Sequence, residues 1–233
     1  MCLAVLLPFF SCAARIGGSL AADGSASLSV NMSLEPRITA LIQRMAAVGG
    51  LQDDDGGELQ VLDGAAIALS MSNAPSGNVS AALRNTGPSA IEGQVRISNI
   101  SRFLASGDAG GFVKFEQGRA GGRCEIGINR DNGPVILEIL SPEIADFLNA
   151  LMAPLATGEE LTKTEYLELV SSVYSKSISD EIAASRIRAS IDFPGSVTSV
   201  RGGTFSGRRA NFDIPLLDLL VLETPFICEV KWN

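Results

Sequence analysis

The run Val79-Ser-Ala-Ala-Leu-Arg-Asn-Thr-Gly-Pro-Ser-Ala-Ile-Glu-Gly-Gln-Val-Arg-Ile97 decides the fold class. Val79, Ala81 and Leu83 alternate with Ser80, Ala82 and Arg84. Asn85-Thr-Gly-Pro-Ser89 then supplies turn chemistry. Beyond it, Ile91, Val95 and Ile97 alternate with Glu92, Gln94 and Arg96. Side chains two residues apart share one face of a strand, so each half carries an apolar and a polar face. A link this short makes the pair an antiparallel hairpin.

The same logic extends outward. From Ser25, Leu28, Val30 and Met32 alternate with Ser27, Ser29 and Asn31, which predicts another half-buried strand. Ser33 is placed to cap a helix with Pro36 in its first turn, its apolar face running Ile38, Leu41, Ile42, Met45 and Val48 until Gly49-Gly50. Asp63 is placed to cap a short helix over Gly64–Ser72. Ile100–Ala105 predicts one or two helical turns. Gly111–Gln117, Arg123–Asn129 and Pro134–Leu140 predict an antiparallel meander joined by Gly- and Asn-rich turns.

Helices come next. Ser141-Pro142-Glu143 starts one that Pro154 ends. Thr162-Lys-Thr-Glu165 is a capping box, followed by the face Tyr166, Leu169, Val170, Val173. Ser175–Ser179 predicts a break, and Asp180–Ser185 a further turn. Ile187–Phe193, Ser196–Val200, Arg208–Phe212 and Phe226–Trp232 return to strands. The expected class is α+β, a mostly antiparallel sheet with a layer of amphipathic helices on one face. One domain over residues 25–233 is expected, its first and last strand blocks sharing a sheet.

Composition limits the chemistry. The chain has 233 residues, 46% of them hydrophobic and few of those aromatic, so an aliphatic core is expected. Its net charge is −8 and it holds no basic run, which disfavours nucleic acid as a partner. It has no histidine, which removes Ser-His-Asp and Cys-His nucleophiles and every His-dependent metal site. No cofactor is expected. Asp53-Asp-Asp-Gly-Gly57 lacks the alternating ligands and bidentate Glu of a calcium loop and reads as a solvated turn. Glu138 and Glu143 are candidate acids, but the first suits an exposed strand position and the second a helix N-terminus. No enzyme is expected.

Met1-Cys-Leu-Ala-Val-Leu-Leu-Pro-Phe-Phe-Ser-Cys12 is an uncharged apolar run ending at a small residue and a thiol. It resembles the signal of a bacterial lipoprotein, with Phe9 and Phe10 matching the looser lipoboxes of spirochaetal lipoproteins. The resemblance implies residues 1–11 as signal, Cys12 as the lipidated residue and residues 12–24 as a small-residue tether. It implies anchoring in a bacterial envelope membrane through palmitate-type acyl chains, facing the periplasm or exterior. The n-region lacks Lys and Arg, so a start codon further upstream is expected. Outside the leader, Cys124 and Cys228 are left, either as a disulfide or as two separate buried thiols.

Pro215-Leu-Leu-Asp-Leu-Leu-Val-Leu-Glu-Thr-Pro225 has apolar residues all around its axis. That predicts a plug of the core. The other reading is a lip facing lipid or a partner through Leu216, Leu217, Leu219, Leu220 and Leu222.

Ile191-Asp-Phe-Pro-Gly-Ser-Val-Thr-Ser-Val-Arg-Gly-Gly203, followed by a strand, resembles the closing motif of LppM-type lipoprotein domains. Phe212 departs from the tryptophan usual there. The resemblance implies an envelope-anchored α+β domain in a family where lipid binding has been considered, and it carries over no catalytic residue. The expected function is therefore a non-catalytic envelope lipoprotein that binds lipid or another apolar ligand. The alternative is a structural or assembly lipoprotein that meets an envelope protein.

Overall fold

The computed structural model describes residues 13–48, 61–73, 77–105, 111–133 and 148–233. Within them the chain is α+β, with two mostly antiparallel sheets. Strands β1 (Ala13–Leu20), β2 (Ala26–Ser33), β3 (Val79–Gly87), β4 (Ala90–Ile97), β7 (Arg186–Asp192), β9 (Thr204–Ser206) and β10 (Arg209–Pro215) form a seven-stranded sheet in the order β3-β4-β2-β1-β7-β10-β9. Every pairing in it is antiparallel except β1 with β7. Strands β5 (Val113–Gly118), β6 (Gly121–Ile128), β8 (Val197–Arg201) and β11 (Phe226–Trp232) form a four-stranded sheet in the order β5-β6-β11-β8.

The β3–β4 hairpin forms as its alternation predicts, with a register shift between Asn85 and Gly87 at the turn. Strand β2 leaves Leu28, Val30 and Met32 part-buried and exposes Ser27, Ser29 and Asn31. The opening and closing strand blocks do share one sheet, through β1 and β7.

The expected tether over residues 12–24 is corrected. Ala13–Leu20 is β1, a central strand of the larger sheet, and a tight turn over Ala21–Ser25 returns the chain to β2. The Asp23 carboxylate fixes this turn by accepting from the Ser25 backbone N–H at 2.9 Å and from its hydroxyl at 2.7 Å. The small residues that suggested a tether instead permit close strand packing. A Cβ on Gly17 would lie 2.9 Å from Ser29 Oγ, and one on Gly18 2.7 Å from Leu28 Cδ2.

Helix α1 (Pro36–Val48) begins at Pro36, as expected. Ser33 is the last residue of β2, opposite Ala90, and Thr39 N–H donates to the Glu35 carbonyl to open the helix. Helix α2 (Gly64–Ser72) is capped by Asp63, whose carboxylate accepts from Ala66 N–H at 2.9 Å. Asn85 of β3 secures it by accepting from Gly64 N–H at 2.9 Å. Helix α3 (Ile100–Ala105) forms as expected. Pairing with β5 and β11 fills both sides of β6, and the third meander strand, Pro134–Leu140, falls outside the described residues.

Residues 148–150 are helical and that helix ends before Pro154, as expected, while Pro154 also opens the next one. It stands at the N-terminus of α4 (Pro154–Thr157), where its missing N–H is no loss. The capping box is realised at α5 (Lys163–Val173), with Thr162 Oγ1 accepting from Glu165 N–H at 3.2 Å and the Glu165 carboxylate accepting from Thr162 N–H at 2.8 Å. Ser175 breaks the helix and caps α6 (Lys176–Ala184). Val173 is 53% exposed, so the apolar face of α5 ends at Val170. Helix α7 (Leu216–Val221) joins β10 to β11.

Two buried clusters result. One lies among the helices: Tyr166, Val170, Ile178, Ile182, Leu217, Leu220 and Val221 pack with Ile128 at the end of β6. The other joins the sheets and contains Leu20, Phe193, Val197, Ala210, Val230 and Trp232.

Candidate functional site

Cys12, Glu138 and Glu143 fall outside the described residues. So do Asp53–Gly57. Cys124 and Cys228 lie on neighbouring antiparallel strands and share a face, but not a rung. Val230 stands opposite Cys124, and Ile126 opposite Cys228. Such diagonal positions lie about 7–8 Å apart, beyond the usual span of a disulfide. Both thiols are free, which corrects the disulfide reading. Burial pushes each up to about 11, so both stay protonated and unreactive at neutral pH.

The lip reading of Leu216–Leu222 is corrected as well. Leu217, Leu220 and Leu222 are buried, while Leu216 and Leu219 are half-buried against the helical cluster. The segment is part of the core. Leu222 takes a left-handed conformation, φ 47°, at the helix end, and Gly133 gives it room, since a Cβ there would lie 2.8 Å from Leu222 Cδ1.

Strand register assembles a different surface. Leu83, Gly93, Val30, Ile16, Ala189 and Phe212 form one row across six strands of the larger sheet. Asn85, Ile91, Met32, Ala14, Ile187 and Ile214 form the next row. Alternation puts both rows on one face. Ile91 is buried, but Leu83, Val30, Ile16, Ala189, Met32 and Ile187 are only half-buried. Those six stand outside both clusters described above. Gly93, Ala14 and Ala189 keep the middle of this face low. The face is therefore an apolar trough with small residues along its floor, suited to hydrocarbon. The sequence gives only alternating strands; the trough depends on their order and register.

A buried polar cluster lies where α1 meets α6. Glu35 is buried, and burial, then the neighbouring Glu181, hold its carboxyl above the usual range. Burial also raises Glu181, opposed by the Arg37 guanidinium 3.5 Å away and by the Ile38 N–H. Thr39 Oγ1 and Glu181 Oε2 are buried without a hydrogen-bond partner. A raised carboxyl binds its proton more tightly in the folded chain than in the unfolded one. The contribution of these two carboxyls to stability is therefore fullest below the unfolded carboxyl range, about pH 4.3, and is lost as pH rises through the raised values. Glu35→Gln is expected to raise the urea midpoint at pH 7 and leave it nearly unchanged at pH 4. An equal gain at both pH values would contradict this.

No family model matches the chain, and no curated protein matches it. A similar solved structure is the folded domain of Mycobacterium tuberculosis LppM, with 9% identity and a TM-score of 0.41, covering 100% of this chain and 95% of that one. Among the described residues, no helix is long and apolar enough to cross a membrane.

Proposed function

We propose that the chain is a bacterial envelope lipoprotein, anchored through Cys12, whose domain is a non-catalytic binding module for a lipid or another apolar ligand. The apolar trough around Ile16, Val30 and Ala189 carries the binding part of this reading. The face of a sheet that seals a core is normally packed to the density of an organic crystal. Here a contiguous row of aliphatic residues stays only part-buried, as the walls of ligand grooves do. The anchor rests on the leader ending at Ser11-Cys12.

In this reading β1 begins directly after the anchored residue, so the domain sits close to the membrane. An acyl chain reaching the trough exchanges lipid surroundings for aliphatic side chains. Each methylene kept from water there contributes about 0.8 kcal/mol. No proton or group transfer is involved.

Mass spectrometry of the membrane-extracted chain reads both parts. The expected result is an acylated Cys12 at the N-terminus, with non-covalent lipid recaptured by delipidated protein after incubation with envelope lipid extract. A chain still carrying residues 1–11 would overturn the anchor. Failure to recapture any lipid would overturn the binding reading.

A further inference from the structure

The opposite face of the larger sheet is polar, and strand register sorts its charges. Arg84, Glu92, Asn31, Arg15, Arg188 and Asp213 form one straight row across six strands. Arg186 stands on the same face in the next row, and Arg96, Asp192 and Arg209 share a row two further on the other side. Six arginines thus meet three carboxylates, in a chain whose net charge is −8. Each carboxylate already has an arginine: Glu92 pairs with Arg84, Asp192 with Arg209 and Asp213 with Arg188. Among the described residues, Arg15, Arg96 and Arg186 make no ion pair. The sequence shows no basic run because these arginines lie on separate strands or at alternate positions.

Arg15 and Arg188 are direct cross-strand partners on β1 and β7. Like charges placed opposite one another destabilise a sheet. Asp213 offsets one of the two, 3.5 Å from Arg188 Nε, and leaves Arg15 uncompensated. Both arginines line an open groove of about 660 Å³ with Ser190, Thr204, Asn211 and Asp213. Gly17, Gly202, Gly203, Ile16, Ala189 and Phe212 also line it. Ser190 Oγ donates to Asn211 Oδ1 at 2.8 Å, so the capacity left on the Asn211 amide is that of a donor.

The geometry points to an anion site in this groove, taking a phosphate group between Arg15 and Arg188. Guanidinium forks match phosphate oxygens in pairs, and the Thr204 hydroxyl and Asn211 amide add neutral donors. A bound phosphate offsets the repulsion between Arg15 and Arg188. The two arginines alternate along β1 and β7 with Ile16 and Ala189, which belong to the trough row and line the same groove, and the anion site needs no apolar ligand. The phosphate comes either from a small soluble anion or from the headgroup of an anionic lipid.

Titration of the protein with inorganic phosphate, followed by the arginine side-chain N–H resonances, tests the site. The expected result is saturable movement of the Arg15 and Arg188 signals, absent with sodium chloride at matched ionic strength. Arg15→Gln and Arg188→Gln are each expected to weaken binding about tenfold, the loss of one charged contact. Arg84→Gln, on the same row outside the groove, should leave it unchanged. Arg188→Lys keeps the charge without the fork, and is expected to fold normally yet bind more weakly. Phosphatidylcholine vesicles with and without phosphatidylglycerol separate the sources. Capture only by the anionic vesicles, reversed by phosphate, supports a headgroup; phosphate binding without vesicle capture supports a soluble anion. No saturable shift, or equal weakening by Arg84→Gln, would overturn the site.

Discussion

Leu220→Asp is expected to abolish cooperative folding at neutral pH. Leu220 is 4% exposed, on α7 beside Val221 at 0% and Leu222 at 3%. Its cluster includes Tyr166, whose hydroxyl already donates to the Leu151 carbonyl at 3.3 Å. An unpaired carboxylate there costs several kcal/mol, and the cavity left by the lost leucine about 2–5 kcal/mol more. A domain of this kind holds only about 5–15 kcal/mol in total. Leu219→Asp, at a half-buried position on the same turn, should weaken folding without abolishing it. Far-UV circular dichroism in urea distinguishes them. A Leu220→Asp chain unfolding at the parent's midpoint would place the segment outside the core.

Trp232→Ala is expected to cost about 3–5 kcal/mol, the range for deleting a large buried aromatic. The indole is 5% exposed and packs 4.9 Å from the Phe193 ring and 6.1 Å from the Phe115 ring, centroid to centroid. It fastens the four-stranded sheet to the end of β7 on the larger one. Gly122 stands opposite it on β6, and a Cβ there would lie 2.7 Å from Trp232 Cε2. The indole thus occupies the space that the glycine leaves. Trp232 is the only tryptophan, so the parent's fluorescence reports on this junction alone. A loss below about 1 kcal/mol in the free energy of urea unfolding would mean that the sheets are joined elsewhere.

What was legible in the sequence was local. The β3–β4 hairpin, the Asp63 cap and the Thr162–Glu165 box each lie within a few residues, and each forms as its chemistry predicts. Strand β1 escaped because Gly17, Gly18 and Ser19 blur its alternation, and its parallel partner β7 lies more than 160 residues away. Strand β9 has three residues, too few to show a period. The apolar character of Leu216–Leu222 was plain, and its two readings could be separated only by burial. Cys124 and Cys228 missed each other by one diagonal step, which depends on register. The trough and the arginine face are products of strand order, and no window of sequence contains either.

The binding claim is tested most directly where the ligand would lie. With a lipid of defined acyl chain added to the delipidated protein, nuclear Overhauser contacts between the acyl protons and the side chains of Ile16, Val30, Leu83 and Ala189 are predicted. Contacts confined to other residues, or none at lipid concentrations that saturate recapture, would contradict the trough as the site.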